Sequence, residues 1–438
     1  MSSYVTKKTP GDTAWFTHDR FGMFIHWGLY SMPARHEWVK SRERISEEHY
    51  DLYFKYFNPD LYDPKEWARQ AKAAGMKYVV LTTKHHEGFC LFDSQYTDYK
   101  ATNTPIGKDL VREYVDAFRA EGLHIGFYYS LIDWHHPEFP IDTFHPRRDD
   151  PDAEEQNKGR DVHKYAEYMR NQVRELLTNY GKIDVLWFDF SYPNANGTGD
   201  KSWIRGKGKD DWEAEQLLAL ARELQPGIII DNRTEIEQDL WTPEQVQPLN
   251  WIRHEKTDEL VTWEACQTFS GSWGYYRDET TWKSPDQLIR MLVNTVSCGG
   301  NLLMNVGPTS RGYIDYRAEA ALKVYADWMK YHSRSIYGCT MAEPEFEAPQ
   351  DCRLTQSEDG KRLYIHIYAW PFRALLMKGL VGRVEYAQML NDGSEVLFRD
   401  EVYPNSPAGA PVSTVFRLPV NQPPVTVPVI EVFLKDKQ

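Results

Sequence analysis

The chain has 438 residues, a length that favours two domains because single hydrophobic cores stop growing well below this size. Hydrophobic residues make up 41% and charged residues 26%, as in soluble globular proteins, and no uninterrupted apolar run is long enough to span a membrane. The net charge of −13 argues against a nucleic-acid or anionic-membrane partner, since phosphate binding needs a basic surface.

The five cysteines are scattered and form no CxxC pair. This usage indicates reduced thiols rather than a disulfide framework or a zinc site. The first residues, MSSYVTKKTPGDTAWF, lack the apolar segment of a secretory signal. We therefore expect a cytoplasmic location, while the pattern indicates no particular oligomeric state.

Short apolar runs alternate with amphipathic stretches over the first three-quarters of the chain. The apolar runs lack strict alternation with polar residues, as expected for parallel strands buried on both faces. Repeated strand-then-helix units at this spacing predict a (β/α)8-like barrel, in which chemistry lies at the carboxyl ends of the strands. The predicted strands are 22–27, 78–83, 124–130, 183–190, 227–231 and 302–306, and the predicted helices are 64–74, 109–121, 162–180, 211–224, 285–296 and 316–331.

The pattern changes near Gly338. Beyond it lie short alternating segments with hairpin signals at 359–360 and 391–393 and Pro-rich turns at 404–411. We therefore predict a catalytic barrel over residues 1–337 and an antiparallel β-sandwich over residues 338–438. The second domain is expected to cap the barrel, with Tyr368 and Trp370 as core or interface residues rather than a second ligand site.

Histidines end the first two predicted strands. His26 closes the first, where a hydrogen-bonded core histidine is the alternative interpretation. The second ends in Lys84, His85 and His86. A zinc site would need further ligands at a spacing such as HExxH, which is missing, so hydrogen bonding to hydroxyl groups is favoured over metal binding.

The third and fourth strands deliver an aromatic and a carboxyl group. Tyr129 ends the third run, and the fourth, IDVLWFDF, places Trp187 and Asp189 on one side of the strand. An aspartate in so apolar a run is costly unless it is hydrogen-bonded or used, so a structural cap for the next loop is the alternative to catalysis. The fifth run leads to Arg233, and Glu244 follows on a loop. Two carboxyl groups of this kind are what glycoside hydrolysis requires.

Together these motifs resemble the α-L-fucosidases of glycoside hydrolase family 29, from Trp15 to about Pro308. The segments that carry the resemblance are RFGMFIHWGLYS, FNPDLYDPKEWARQAKAAGMKYVVLTTKHHEGFCLFDS, IGFYYSLIDW, VLWFDF, WTPEQ, WEACQTFSGSWGY and NLLMNVGP. The resemblance also implies a β-sandwich after the barrel, as the change near Gly338 indicates.

The resemblance implies a retaining exo-acting α-L-fucosidase that releases terminal fucose from oligosaccharides or glycoconjugates without a metal or organic cofactor. Asp189 would be the nucleophile that forms a covalent fucosyl-enzyme, and Glu244 the acid/base, with Glu264 as its rival. A retaining glycosidase for another sugar and a non-catalytic fucose-binding protein are the alternatives. The implied sugar-pocket residues are His26, Glu37, Trp38, His85, His86, Tyr129, Trp187, Arg233 and Trp273.

Overall fold

The computed structural model describes residues 4–401 and 412–436, and in them the first three-quarters of the chain forms a curled parallel sheet surrounded by helices. Every pairing between its strands is parallel, and the spatial order is β5-β4-β3-β2-β1-β7-β6. The strands are β1 (Phe21–Ile25), β2 (Tyr78–Lys84), β3 (His124–Ser130), β4 (Val185–Asp189), β5 (Ile229–Ile230), β6 (Glu264–Thr268) and β7 (Asn301–Val306).

The two edge strands of this sheet are joined by residues 240–244. Leu240 makes a parallel bridge to Asp231 just after β5, and Glu244 makes one to Cys266 in β6. The amide of Gln245 also donates to the carbonyl of Cys266 at 3.0 Å. This irregular segment takes the place of a strand between β5 and β6, so the sheet closes into a barrel.

The helices pack around the barrel with their starts fixed by side-chain caps. Asp63 accepts from two amides at the start of α4, and Ser284 forms a capping box with Gln287 at the start of α9. The helices are α1 (Thr13–Asp19), α2 (Val39–Arg42), α3 (Glu47–Tyr56), α4 (Pro64–Ala73), α5 (Leu110–Ala120), α6 (Ala153–Asn157), α7 (Val162–Asn179), α8 (Ala214–Leu224), α9 (Pro285–Ser297) and α10 (Tyr316–His332). None of the helices in the described residues combines the length and the apolar character needed to cross a membrane.

Two apolar clusters fill the two sides of the parallel sheet. One lies inside the barrel and includes Phe24, Tyr128 and Trp187. The larger one, which includes Tyr129 and Phe188, lies between the strands and the helices. Because successive strand residues face opposite sides, each polar residue at a strand end is directed either into the barrel or toward the helices.

After the barrel the chain forms antiparallel sheets. A five-stranded sheet has the order β12-β15-β10-β9-β8 and a three-stranded sheet the order β11-β14-β13, and one apolar cluster contains residues of both. The strands are β8 (Cys339–Met341), β9 (Cys352–Ser357), β10 (Arg362–Ile367), β11 (Ala374–Met377), β12 (Val384–Met389), β13 (Phe398–Glu401), β14 (Ser413–Arg417) and β15 (Val429–Leu434). The predicted barrel followed by an antiparallel sandwich is thereby confirmed.

The predicted position of the domain boundary, between 337 and 338, stays a prediction, although the first antiparallel strand starts at Cys339. Gly360 and Gly393 adopt positive φ in turns, as the two hairpin signals indicated. The Pro-rich segment 404–411 lies outside the described residues. Tyr368 packs against the barrel, since its hydroxyl donates to Asn294 of α9 at 2.7 Å, which agrees with an interface role.

Candidate active site

A cavity opens at the carboxyl ends of the barrel strands, where the predicted catalytic chemistry was expected. Nine of the eleven predicted site residues line it; the exceptions are Tyr129 and Arg233. The lining residues are Phe24, His26, Glu37, Trp38, His85, His86, Tyr128, Trp187, Asp189, Phe190, Glu244, Cys266 and Trp273.

Asp189 is the last residue of β4, and its carboxylate is held by two donors. The Tyr128 hydroxyl donates to Oδ2 at 2.7 Å, and Nη1 of Arg233 donates to Oδ1 at 3.1 Å. Burial raises the pKa of Asp189 to about 6, while the Arg233 guanidinium acts in the opposite direction. The two donors fix the direction of the carboxylate without neutralising it, as a nucleophile requires.

Arg233 joins the two predicted catalytic carboxyl groups. Its Nη2 donates to Oε2 of Glu244 at 3.0 Å, while its Nε donates to the Thr242 hydroxyl at 2.9 Å. Its guanidinium also lies over the Trp187 ring, 4.8 Å from the centroid. Arg233 does not line the cavity itself but lies behind both carboxyl groups and orients them.

Glu244 lies at the mouth of the cavity, in contrast to Asp189. Its side chain is 43% exposed, whereas that of Asp189 is 14% exposed. The closing segment 240–244 fixes this position through its parallel bridge to Cys266 of β6. One carboxyl group is therefore deep and the other is accessible from solvent.

Three histidines form one side of the cavity and are held in the neutral state. Burial lowers the pKa of His26 to about 3 and takes the pKa values of His85 and His86 well below their ordinary range. His26 Nδ1 pairs with Asn305 at 2.6 Å, and His86 Nδ1 pairs with the Ser130 hydroxyl at 2.6 Å. Neutral imidazoles can each donate and accept one hydrogen bond, which suits hydroxyl groups of a sugar.

Glu37 and three tryptophans enclose the rest of the cavity. Glu37 is buried, and its carboxylate accepts from the amide of Gly274 at 2.9 Å, next to Trp273. Burial raises the pKa of Glu37. Trp38 packs edge-on against His86, with ring centroids 4.9 Å apart, while Trp187 and Trp273 both pack against Phe24 at the barrel interior. These rings supply apolar surface beside the polar groups.

The placement of Tyr129 in the sugar pocket is wrong. Tyr129 pairs in register with Phe188 and faces the helices, where its hydroxyl donates to Gln172 at 2.7 Å. Tyr128 pairs with Trp187, so it faces the barrel interior and reaches Asp189. The one-residue difference reverses the face, because side chains alternate along a strand.

Glu264, the rival of Glu244, lies outside the cavity lining. It is fully buried at the start of β6, where its carboxylate accepts from the Tyr78 hydroxyl and, at 3.3 Å, from the Trp187 indole N–H. Burial raises its pKa to about 7. Glu264 therefore contacts Trp187, a wall of the cavity, from behind and does not line the cavity itself.

Four residues that line the cavity were not predicted from the sequence: Phe24, Tyr128, Phe190 and Cys266. Phe24 lies two residues before His26 and Tyr128 pairs with Trp187 in the neighbouring strand, so each faces the same side of the sheet as a predicted pocket residue. The alternation of side chains along a strand would therefore have placed both in the cavity. Cys266 lies on β6, a strand that was not predicted. Among residues 4–401 and 412–436, no group of three or more His, Cys, Asp and Glu side chains is arranged to hold a metal ion.

Comparisons with known proteins agree with this geometry. The alpha-L-fucosidase family profile matches residues 3–334. Human plasma alpha-L-fucosidase is 30% identical over 406 residues, which cover 84% of this chain and 78% of the human protein.

Solved structures resemble the whole chain. The structure of alpha-L-fucosidase isoenzyme 1 from Paenibacillus thiaminolyticus is 47% identical, with a TM-score of 0.87 and coverage of 97% of this chain and 99% of that one. A family 29 alpha-L-fucosidase from Bacteroides thetaiotaomicron, described as a trapped covalent intermediate with 2-fluoro-fucosyl fluoride, is 27% identical, with a TM-score of 0.80 and coverage of 99% and 98%.

Proposed function

The chain belongs to the alpha-L-fucosidase family, glycoside hydrolase family 29, and we propose that it is a retaining, exo-acting enzyme that releases terminal α-L-fucose from oligosaccharides or glycoconjugates. As a family member it is a hydrolase. The trapped covalent intermediate of the Bacteroides relative supports the retaining course.

The observation that carries the proposal is the single guanidinium that holds two carboxyl groups. Arg233 donates to Asp189 at 3.1 Å and to Glu244 at 3.0 Å from its two terminal nitrogens. Because one guanidinium reaches both carboxyl groups, they face the same end of the cavity. This supports the short separation of about 5–5.5 Å between carboxyl groups that a retaining glycosidase needs, at which no water fits between nucleophile and sugar. Asp189, which is the more buried of the two, is suited to be the nucleophile, and Glu244, which is more exposed, is suited to be the acid/base.

In the first step Asp189 attacks and Glu244 gives up a proton. An Asp189 oxygen forms a bond to the anomeric carbon while the bond from that carbon to the leaving oxygen breaks, and the proton of Glu244 passes to that oxygen. The exposed position of Glu244 at the mouth supports this role, since the leaving group must depart toward solvent. The product of this step is a covalent fucosyl-enzyme.

In the second step water releases the sugar. Glu244, now a carboxylate, takes a proton from a water molecule that attacks the anomeric carbon, and the bond to Asp189 breaks. Two displacements return the sugar with its original configuration. Arg233 faces both carboxyl groups throughout and stabilises whichever of them is negatively charged.

Recognition of the sugar is assigned to the polar and aromatic walls. The neutral His26, His85 and His86 offer hydrogen bonds to hydroxyl groups, and the buried ring of Trp187 or Phe24 offers apolar surface to the methyl group of a 6-deoxy sugar. A substrate that lacks one hydroxyl leaves a buried donor or acceptor unpaired, which is strongly unfavourable. The cavity lies at the end of a filled barrel, so only a terminal sugar can enter it.

A cytoplasmic location remains part of the proposal. All five cysteines lie in the described part of the chain, where they are buried and form no disulfide bond. Free thiols are expected for a protein in a reducing compartment. Subcellular fractionation of the native source would test the location, and recovery of the activity outside the cell would contradict it.

The experiment that tests the function is a panel of aryl glycosides combined with analysis of the product anomer. We expect hydrolysis of aryl α-L-fucoside to exceed that of the matching galactoside by several orders of magnitude, and proton NMR to show α-L-fucose as the first product. A first product of β configuration would contradict the retaining mechanism. Preference for another sugar would contradict the substrate, and binding of fucose without hydrolysis would indicate a non-catalytic protein.

A further inference from the structure

The three-stranded sheet of the C-terminal domain carries a cavity on the face that points away from the apolar cluster of that domain. Its volume is about 450 Å³, which is within the range of pockets that hold small molecules. The residues that line it are Arg373, Ala374, Leu397, Phe398, Arg399, Val415 and Arg417. We refer to this cavity as the arginine cleft, because three of its seven lining residues are arginines.

The strand register places two of the arginines on the same side of this sheet. Phe416 of β14 belongs to the apolar cluster shared by the two sheets, so its neighbours Val415 and Arg417 face the opposite side. Arg399 of β13 pairs with Val415, and it therefore lies diagonally across from Arg417. Diagonal neighbours on adjacent strands are about 7–8 Å apart, so two long side chains at such positions can reach one ligand.

The third arginine reaches the cavity through an unusual backbone conformation. Arg373 directly precedes β11 and has a φ of 64°, in the left-handed region that residues other than glycine rarely adopt. Ala374, the next residue, pairs with Arg417 and lines the cavity, so in a regular strand the side chain before it would face the other side of the sheet. The left-handed conformation therefore accompanies a change of direction that brings a third positive charge to the cavity. Such strain concentrates at functional sites.

The positive charges of the arginine cleft are only partly balanced by carboxylates. Arg399 pairs with Glu401 at 2.9 Å, whereas the guanidinium groups of Arg373 and Arg417 have no ion pair and no hydrogen bond among the residues that the structure describes. The segment 402–411, between β13 and β14, contains no charged residue. Like charges gathered in one place repel each other, and in a chain with a net charge of −13 this cluster is a local exception. The cluster is therefore complementary to an anion.

The rest of the arginine cleft is apolar. All of its lining residues other than the arginines are apolar, and Leu397 among them is 55% exposed. Arginine presents a planar fork of N–H donors that binds carboxylates and phosphate-like oxyanions through paired hydrogen bonds. A ligand that fits both features is a small molecule with an acidic group beside a C–H surface.

We propose that the arginine cleft binds an acidic sugar unit, one that carries a carboxylate or a sulfate ester, in the same glycan or glycoconjugate as the fucose. The choice of a sugar rests on the proposed function, whereas the acidic group follows from the three arginines. A pocket of this volume suits a small saccharide rather than a protein surface, and the net charge of the chain argues against a nucleic acid. A second binding site in the same chain would raise the effective concentration of an acidic glycan at the barrel.

Isothermal titration calorimetry at low salt tests the proposal with four probes. The probes are glucuronic acid, a sulfated galactose, neutral galactose and inorganic sulfate. We expect the wild type to bind at least one acidic sugar, and to bind galactose and inorganic sulfate about tenfold more weakly or not at all, because each of these lacks one of the two kinds of contact. The acidic sugar that binds more tightly identifies the acidic group.

Arg417→Gln and Arg373→Gln each remove one charge from the arginine cleft. We expect each substitution to weaken binding of the acidic sugar about tenfold, as the loss of a charge-assisted hydrogen bond implies. Both should keep the wild-type kcat/KM on an aryl α-L-fucoside, because neither residue lines the active-site cavity. Arg353→Gln is the matched control, since Arg353 is also exposed but lies on β9 in the other sheet. Its affinity for the acidic sugar should equal that of the wild type.

Unchanged affinity in both cleft variants would overturn the proposal, as would inorganic sulfate that binds as tightly as the acidic sugars, because the site would then not recognise a sugar. A wild type that hydrolyses the aryl fucoside but binds neither acidic sugar would overturn the proposal and leave the proposed function intact. A wild type that binds an acidic sugar through the arginines but hydrolyses no fucoside would contradict the proposed function alone.

Discussion

The arginine between the two carboxyl groups provides a direct test of the electrostatics of the site. Burial raises the pKa of Asp189 to about 6 and Arg233 opposes that rise. A carboxyl group can attack only when it is deprotonated, so kcat/KM of the wild type should fall as the pH drops through about 6. The relevant pKa is that of the free enzyme, which kcat/KM reports.

The substitution Arg233→Met removes the positive charge beside Asp189 but keeps Asp189 buried. The side chains of Arg233 and Asp189 are only 20% and 14% exposed, so solvent screens their interaction weakly. An opposite charge at this distance holds a carboxyl pKa down by about 1–3 pH units, each equivalent to about 1.4 kcal/mol. The acid limb of the kcat/KM profile should therefore move to higher pH by about one unit or more.

The assay is hydrolysis of an aryl α-L-fucoside between acid and neutral pH, with Arg317→Met as the matched control. Arg317 is also 20% exposed, pairs with Asp315 at 2.8 Å and lies over the ring of Trp282, much as Arg233 lies over a tryptophan. Its loss should not move the acid limb. If the acid limb of Arg233→Met lies at or below the wild-type pH, Arg233 does not favour the ionised form of Asp189.

The remaining predictions concern carboxyl and tyrosine side chains around the same cavity. Glu244→Ala should lower hydrolysis of natural fucosides by about 10²–10⁴-fold but that of a dinitrophenyl fucoside far less, because a good leaving group needs little protonation; the same dependence in Glu264→Ala would transfer the acid/base role to Glu264. Glu264→Ala should instead lower the free energy of unfolding, measured with urea, by about 1–3 kcal/mol, since it leaves two buried donors without an acceptor; unchanged stability would contradict this. Tyr128→Phe should lower kcat/KM about tenfold because it removes a hydrogen-bond donor to Asp189, whereas Tyr129→Phe should change kcat/KM less than about twofold. A larger loss in Tyr129→Phe than in Tyr128→Phe would indicate that Tyr129, and not Tyr128, contributes to the cavity.

Hydropathy patterns predicted most of the barrel but not all of it. The six predicted strands and six predicted helices are present, with ends that differ by a few residues. β6 was missed because its sequence, EACQT, is largely polar although every residue in it is buried. Its Glu264 is satisfied by two hydrogen bonds inside the barrel, and such pairing depends on tertiary contacts that local sequence does not reveal.

The site residues were predictable where a strand end fixed their position. Asp189, His26 and His85 needed only the end of an apolar run and the resemblance to a family. The Tyr128–Tyr129 pair needed the register between β3 and β4, because alternation allows only one of two adjacent residues to face the barrel interior. The link from Glu244 through Arg233 to Asp189 depends on an irregular segment, and neither periodicity nor spacing encodes it.

As the proposed nucleophile, Asp189 should become covalently bonded to fucose during turnover. Reaction with 2-fluoro-fucosyl fluoride, followed by proteolysis and mass spectrometry, measures this directly, because the fluorine beside the anomeric carbon slows release of the sugar from the enzyme. We expect a single 2-fluoro-fucosyl adduct on the peptide that contains Asp189, with loss of activity in step with labelling. An adduct on Glu244, Glu264 or another carboxyl group would contradict it.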